Sequence, residues 1–333
     1  MRRNTMKAIV WTRYGPPDVL QLKEVETPTP KDNEVLIRIR ATTVTAGDCE
    51  LRGLKFPLYL SLVMRLWRGV IKSRGTAILG TELAGDIEAV GKDVTLFKVG
   101  DQVFGSAGMN FGANAEALCL PERPGNMEGG VAIKPATMTY EEAAAVPFGG
   151  RDSLHFLRKG NLQPGQTILI NGAGGSIGTF AIQLAKYFGA EVTAVDSTGK
   201  LDLLRDMGAD HVIDYTQEDF TRSGKTYDVI FDVVGKSPFS RSIRSLENNG
   251  TYLLANSRPR HMIRGLWTSM RSNKTVVFEA ASPTTGDLVF LRGLIESGKI
   301  RSAIDRCYPL ERIAEAHRYI ETGAKLGNVV ITV

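Results

Sequence analysis

The segment Thr167-Ile-Leu-Ile170 runs straight into Asn171-Gly-Ala-Gly-Gly-Ser-Ile-Gly178, and an amphipathic stretch follows over 179–189. A short apolar run, a glycine cluster and a helical period in that order describe a buried strand, a tight turn and a helix N-terminus. A helix N-terminus carries backbone N–H groups that can hold a pyrophosphate, but only where no side chain blocks the approach. Gly175 would allow that approach, and Gly178 would let the helix lie close to the strand. The register is Ala173-x-Gly175-x-x-Gly178, so alanine stands where the strict pattern has its first glycine. Asp196, 18 residues after Gly178, ends the next apolar run. A carboxylate there accepts hydrogen bonds from a ribose 2′-OH and repels a 2′-phosphate. The constellation indicates a site for NAD(P)H, with Asp196 favouring NAD(H). Ser197, Thr198 and Lys200 follow at once and could hold a phosphate, which argues the other way.

Around this turn, strands alternate with helices. Strands are expected at 191–195, 211–215, 227–234, 251–255 and 275–280, with helices at 200–207 and 238–246 between them. This rhythm implies βαβ crossovers and a parallel sheet covered on both faces. The first third differs. Short β-branched runs at 7–11, 20–25, 34–41, 83–90 and 102–104 are separated by Gly-Pro-Pro (15–17) and Pro28-Thr-Pro30. Glu34–Arg40 alternates through Val35, Ile37 and Ile39, as a strand does with one face on a core. The tail, a helix at 286–297, a strand at 302–305, a helix at 311–322 and a strand at 328–333, leaves the βαβ rhythm.

A chain of 333 residues exceeds one ordinary core, so two domains are expected. Cys49, Cys119 and Cys307 are too few and too far apart for a disulfide framework, which fits a reducing compartment. No apolar run of signal-peptide length follows the first charges, and no stretch of about 20 apolar residues occurs. A cytoplasmic protein is the expectation. The net charge of +5 is concentrated: 51–75 and 258–274 carry Lys and Arg but no acid, so the remainder is net acidic. In both segments, arginines mix with large apolar residues, at 56–71 and 261–270. Each could pack its apolar side on the body with its charges in water. Alternatively, segments 56–74 and 258–274 could meet a membrane surface, where Trp and Arg suit the headgroup region. The basic charge is local and no reading module is present, so nucleic acid is not the expected partner.

Further motifs carry a family resemblance. They include Val44-Thr-Ala-Gly-Asp48 with Arg52-Gly53, Gly80-Thr-Glu-Leu-Ala-Gly85, Val94–Phe104, Ala143-Ala-Ala-Val-Pro147, Gly208–Asp214 and Ile304–Leu310. With the glycine turn, the chain resembles the medium-chain dehydrogenase/reductase superfamily, in its zinc-independent quinone-oxidoreductase-like branch. The resemblance implies an α/β fold: a Rossmann doubly wound parallel sheet plus a GroES-like β-rich catalytic domain. It assigns 1–125 and 284–333 to the catalytic domain and 126–283 to the Rossmann domain, with the active site in the cleft and a homodimer as the assembly.

The zinc-dependent relatives need thiolate or imidazole ligands at two places that here look like Thr45 and Thr81. No C-x-x-C occurs and the four histidines are scattered, so no metal is expected. Without a Lewis acid the resemblance points to hydride transfer from NAD(P)H to electrophilic acceptors, a quinone or the C=C bond of an enone or enal. A zinc-free alcohol dehydrogenase or ketone reductase is a second reading, and a dinucleotide-binding sensor with little turnover a third.

Candidate catalytic residues are Thr45, as hydrogen-bond donor to a carbonyl oxygen, and Asp48, which could equally cap a helix. Asp152 stands where the family has a Thr that touches the nicotinamide ribose. The other cofactor residues expected are Ala173, Gly174, Gly175, Ser176, Ile177, Gly178, Asp196, Ser197, Lys200 and Tyr215. Val233, Val234, Ala255 and Asn256 lie at the carboxyl ends of consecutive parallel strands, where ligands bind in such sheets. Phe278 and Asn328 complete the set by resemblance.

Overall fold

The computed structural model describes residues 4–55, 77–125, 128–281 and 284–333. The chain divides into two compact units, Met1–Pro147 with Ile304–Val333, and Phe148–Ala303.

The first unit is β-rich. Strands β1 (Thr5–Trp11) and β2 (Leu20–Glu26) pair antiparallel. Then come β3 (Glu34–Val44), helix α1 (Ala46–Gly53), β4 (Glu82–Val90), β5 (Gln102–Gly108), β6 (Ala117–Pro121), β7 (Glu128–Ile133) and α2 (Tyr140–Ala144). In β3 Leu36 on the opposite face is buried as well, in a separate cluster, but Val35, Ile37 and Ile39 are buried and Arg38 and Arg40 exposed as the alternation predicts. Val35, Ile37 and Ile39 pack with Leu83, Ile87 and Val103. Each such side chain fully buried stabilises the unit by about 1.5–3 kcal/mol.

The second unit alternates helix and strand. It holds most of α3 (Pro147–Lys159), then β8 (Thr167–Asn171), α4 (Ser176–Tyr187), β9 (Glu191–Asp196), α5 (Leu201–Asp206) and β10 (His211–Asp214). There follow β11 (Tyr227–Asp232), α6 (Phe239–Arg244), β12 (Leu246–Leu254), α7 (Pro259–Arg271), β13 (Thr275–Val277) and α8 (Thr285–Glu296). The sheet order is β10-β9-β8-β11-β12-β13, and every pairing in it is parallel. In the order of the unit's own strands this is 3-2-1-4-5-6, the doubly wound order that reverses between β8 and β11. Leu169, Ile230 and Leu254 are buried inside the sheet, which is why its strands read as continuous apolar runs.

The tail, β14 (Ile304–Pro309), α9 (Ile313–Glu321) and β15 (Asn328–Thr332), belongs to the first unit. β14 and β15 pair in parallel, and β15 pairs antiparallel with β3, extending its sheet to the order β14-β15-β3-β4-β5-β7. The chain thus returns to finish its first sheet, as the GroES-like reading requires.

The division falls later than the boundaries read at 125/126 and 283/284. Helix α2 packs on β3, β4 and β5, which keeps it with the first unit. Helix α8 stays with the second: Arg158 pairs with Asp287 at 2.7 Å and Phe290 meets the Tyr187 ring.

Candidate dinucleotide site

The glycine turn joins β8 to α4 where the strand order reverses. Gly172 takes φ +85°, the left-handed region that favours glycine, and a Cβ there would strike Val234 at 2.2 Å. The tight bend is thus made one residue before Ala173, so alanine at the first position of the pattern is tolerated. Gly175 caps α4, and a Cβ on it would meet only the Gly172 carbonyl at 4.0 Å. Space in front of the helix N-terminus is therefore open. A Cβ on Gly178 would fall 2.4 Å from the Ala173 backbone, so this glycine is needed for α4 to lie against the turn.

Asp196 is buried and braces the turn. Its carboxylate accepts hydrogen bonds from the backbone N–H of Gly174 and of Ser197, each at 2.8 Å. Lys200 Nζ stands 3.4 Å from it. Gly174 carries no side chain because a Cβ would meet Lys200 at 2.6 Å and Asp196 at 3.0 Å. Tyr215 donates its backbone N–H to the Asp196 carbonyl at 3.1 Å, and its side chain is exposed. Ser197, Lys200 and Tyr215 therefore gather on one side of the turn.

On the other side lie the loops after β11 and β12. The Val233 N–H donates to the Asn171 carbonyl at 3.0 Å and the Ala255 N–H to the Asp232 carbonyl at 3.2 Å. Gly235 approaches the Asn256 carbonyl so closely that a Cβ would sit 2.1 Å from it. Asp232 ties these ends together. It is fully buried and accepts from Gly235 N (2.8 Å), Asn171 Nδ2 (3.0 Å), Tyr252 OH (3.0 Å) and Ser237 Oγ. No spacing motif marks Asp232. Its signal in the sequence is an acid ending an otherwise apolar strand, which needs partners to be buried there.

Asp152 sits on α3 beside the same helix N-terminus. Ser153 Oγ hydrogen-bonds the Gly149 and Ile177 carbonyls at 2.7 and 2.6 Å, and a Cβ on Gly149 would strike the Ser176 carbonyl. Burial pushes the Asp152 carboxyl up to about 7, against the pull of Arg151. Phe278, by contrast, packs under α7, where a Cβ on Gly265 would meet its ring at 2.9 Å.

Thr45, Asp48 and Asn328 belong to the first unit. Thr45, rather than Asp48, is the N-cap of α1, and Asp48 is its partner in a capping box. Asp48 Oδ2 accepts from Thr45 N (2.8 Å) and Thr45 Oγ1 (2.7 Å), while Thr45 Oγ1 accepts from Asp48 N (3.2 Å). The Thr45 hydroxyl hydrogen is thereby spent inside the helix cap. Burial raises the Asp48 carboxyl above the ordinary carboxylate range, although both Thr45 hydrogen bonds oppose it. Behind the cap, Cys49 Sγ lies 3.2 Å from His317 Nδ1, and Arg52 bridges His317 to Glu321. Burial pushes the Cys49 thiol up to about 12 and the His317 imidazole down to about 3, so both are neutral. Asn328 is buried at the start of β15.

Among the described residues no group of three His, Cys, Asp or Glu side chains could hold a metal. Thr45 and Thr81 are poor zinc ligands, and the Thr45 hydroxyl faces Asp48. These two positions offer neither a thiolate nor an imidazole. A concavity of about 710 Å³ near β2 and β3 is lined by none of the expected site residues. The first basic segment, 56–74, lies outside the described residues. No helix among the described residues is long and apolar enough to cross a membrane.

Residues 31–148 match the family model described as alcohol dehydrogenase GroES-like domain, and 207–331 match that described as zinc-binding dehydrogenase. The chain is 32% identical to a 2-methylene-furan-3-one reductase of Solanum lycopersicum, over 98% of this chain and 79% of the relative. It is 30% identical to a chloroplastic NADPH-dependent alkenal/one oxidoreductase of Arabidopsis thaliana, with the same coverage. A solved quinone oxidoreductase from Coxiella burnetii superposes with a TM-score of 0.86 at 26% identity, covering 99% of both chains. With the 3-2-1-4-5-6 sheet, the glycine turn and the returning tail, these matches make the chain a member of the medium-chain dehydrogenase/reductase superfamily, in its quinone-oxidoreductase-like branch.

Proposed function

We propose that this protein is an NAD(P)H-dependent reductase that passes hydride to a quinone or to the C=C bond of an enone or enal, without zinc. The observation that carries the reading is the open face of Gly175 at the N-terminus of α4. The first-turn N–H groups of α4 would hold the pyrophosphate, with no side chain in the way. Val233, Val234, Ala255 and Asn256 would border the nicotinamide half, and Ser197, Lys200 and Tyr215 the adenosine ribose. The bound nicotinamide supplies the hydride, and the chain orients it. Acceptors of this kind are electrophilic without a Lewis acid, which agrees with threonines at the two zinc places.

Cofactor choice turns on Asp196. Its position alone favours NAD(H), but both of its oxygens already accept backbone hydrogen bonds and Lys200 offsets its charge. A carboxylate so engaged repels a 2′-phosphate less than a free one. We therefore infer that the enzyme accepts NADPH as well as NADH. A role for Thr45 as donor to a substrate oxygen requires its hydroxyl hydrogen to leave Asp48, so Thr45 and Asp48 serve first to fix α1. Incubation with NADPH deuterated at C4 and an enone, followed by mass spectrometry, tests the reaction. The proposal expects deuterium on the β-carbon of the saturated product. Deuterium found only in an alcohol product would favour the ketone-reductase reading.

A further inference from the structure

Helix α7 carries its apolar side away from the protein. At about 100° per residue, His261 and Gly265 fall on one arc, and both are buried. Met262, Ile263, Leu266, Trp267 and Met270 fall on the opposite arc, and all five are exposed, Ile263 by 67% and Met270 by 82%. An amphipathic helix that packs its apolar stripe inward would show the reverse. Arg260, Arg264 and Arg271 lie together on one flank of the stripe. No acidic residue occurs from Arg258 to Lys274. The Arg271 guanidinium stacks 3.7 Å from the Trp267 ring centroid, and Arg264 stands 4.8 Å from that of Phe239. Between α6 and α7 lies a groove of about 620 Å³, lined by Phe239, Ile263 and Trp267 together with Arg244, Arg264 and Arg271.

We propose that the outer face of α7 docks on a bilayer surface that contains anionic phospholipid. An exposed apolar stripe with tryptophan, flanked by arginines, matches the physical requirements of a helix lying in the headgroup plane. The apolar side chains enter the acyl boundary and the guanidinium groups meet phosphate and carboxylate headgroups. The charge also decides against a second copy of the chain. A second copy of this face would offer the arginines no counter-charge, because 258–274 contains no acid. This docking does not depend on which acceptor the enzyme reduces.

The test is co-sedimentation of the full chain with phosphatidylcholine vesicles containing roughly one-third phosphatidylserine, against phosphatidylcholine alone. Binding is expected on the anionic vesicles at low salt. It is lost on the neutral ones, and at about 1 M salt, where screening shortens to roughly 3 Å. A double variant, Trp267→Glu with Met270→Glu, should cut partitioning by about tenfold or more. Its circular dichroism and cofactor affinity should match the parent. Absence of binding to anionic vesicles at low salt overturns the proposal, as does a variant that sediments like the parent. If the parent fails to sediment and the variant converts a dimer to a monomer in light scattering, the face joins two copies and the proposal fails.

Discussion

The Asp196 carboxylate accepts a hydrogen bond from the Gly174 backbone N–H at 2.8 Å, so the acid that ends β9 is part of the glycine turn it faces. Its removal should therefore do more than change cofactor preference. Asp196→Ala leaves the Gly174 N–H without its partner, and a lost charge-assisted bond of this kind costs about 1.5–3 kcal/mol. Weaker binding of both NADH and NADPH is expected, by roughly tenfold or more. Lys200→Ala should weaken NADPH more than NADH. Dissociation constants from nicotinamide fluorescence quenching check both, and a clean gain of NADPH affinity in Asp196→Ala would contradict the brace.

Two glycines of the turn should fail in different ways. A Cβ on Gly178 meets the Ala173 backbone at 2.4 Å, which backbone cannot yield cheaply. Gly178→Ala should lower the thermal midpoint, by the equivalent of about 1–3 kcal/mol for an overpacked contact. Gly175→Ala meets no protein atom closer than 4.0 Å and should melt like the parent, yet lose cofactor affinity. Equal melting losses in both would argue that Gly175 is needed only for the fold.

His317 should make the protein sensitive to acid. Burial holds its imidazole down to about 3, while an unfolded chain titrates near 6.5. The unfolded state therefore binds more protons below pH 6.5, and stability falls as the pH drops from there toward 3. The slope is about 1.4 kcal/mol per pH unit for one such group. His317→Gln should flatten this limb in urea unfolding curves taken between about pH 4 and about pH 7.

Asp152 acts in the opposite sense. Its folded value is raised to about 7 from 3.8, so the folded state holds the extra proton and stability falls as the pH rises between these values. Asp152→Asn should stabilise the protein at pH 8, by roughly 1 kcal/mol or more, and show little effect at pH 4. Urea midpoints at the two pH values measure it. A variant less stable at pH 8 would show that the ionised carboxylate has a partner worth more than its burial costs.

Much of this architecture was legible in the sequence because its signals are local. Thr167–Gly178 reads as strand, turn and helix from residue types alone, and the alternation in β3 and the βαβ rhythm follow from period. Strands β6 and β7 escaped. Ala117–Pro121 is short, and Gly129-Gly130 reads as a turn although β5 and β7 pair through it. β14 was expected at 302–305 and lies at Ile304–Pro309, an edge strand whose half-exposed, charged residues carry no apolar alternation. In the site, spacing located Asp196 but not the direction of its carboxylate. It likewise suggested Asp48 as a cap but could not show that Thr45 holds that place, since reciprocal hydrogen bonds depend on rotamers. The mixture of arginine and apolar residues in α7 was visible, whereas which arc faces outward required the packing of His261 and Gly265.

The central claim, a nicotinamide-dependent reductase of quinones or activated alkenes that uses no zinc, meets its most direct test in one rate. Oxidation of NADPH and of NADH is followed with a quinone and with an enone, before and after treatment with a metal chelator. Steady turnover with at least one acceptor, unchanged by the chelator, is the predicted result. Turnover abolished by the chelator and restored by zinc would contradict it, and so would tight cofactor binding with no turnover on either acceptor.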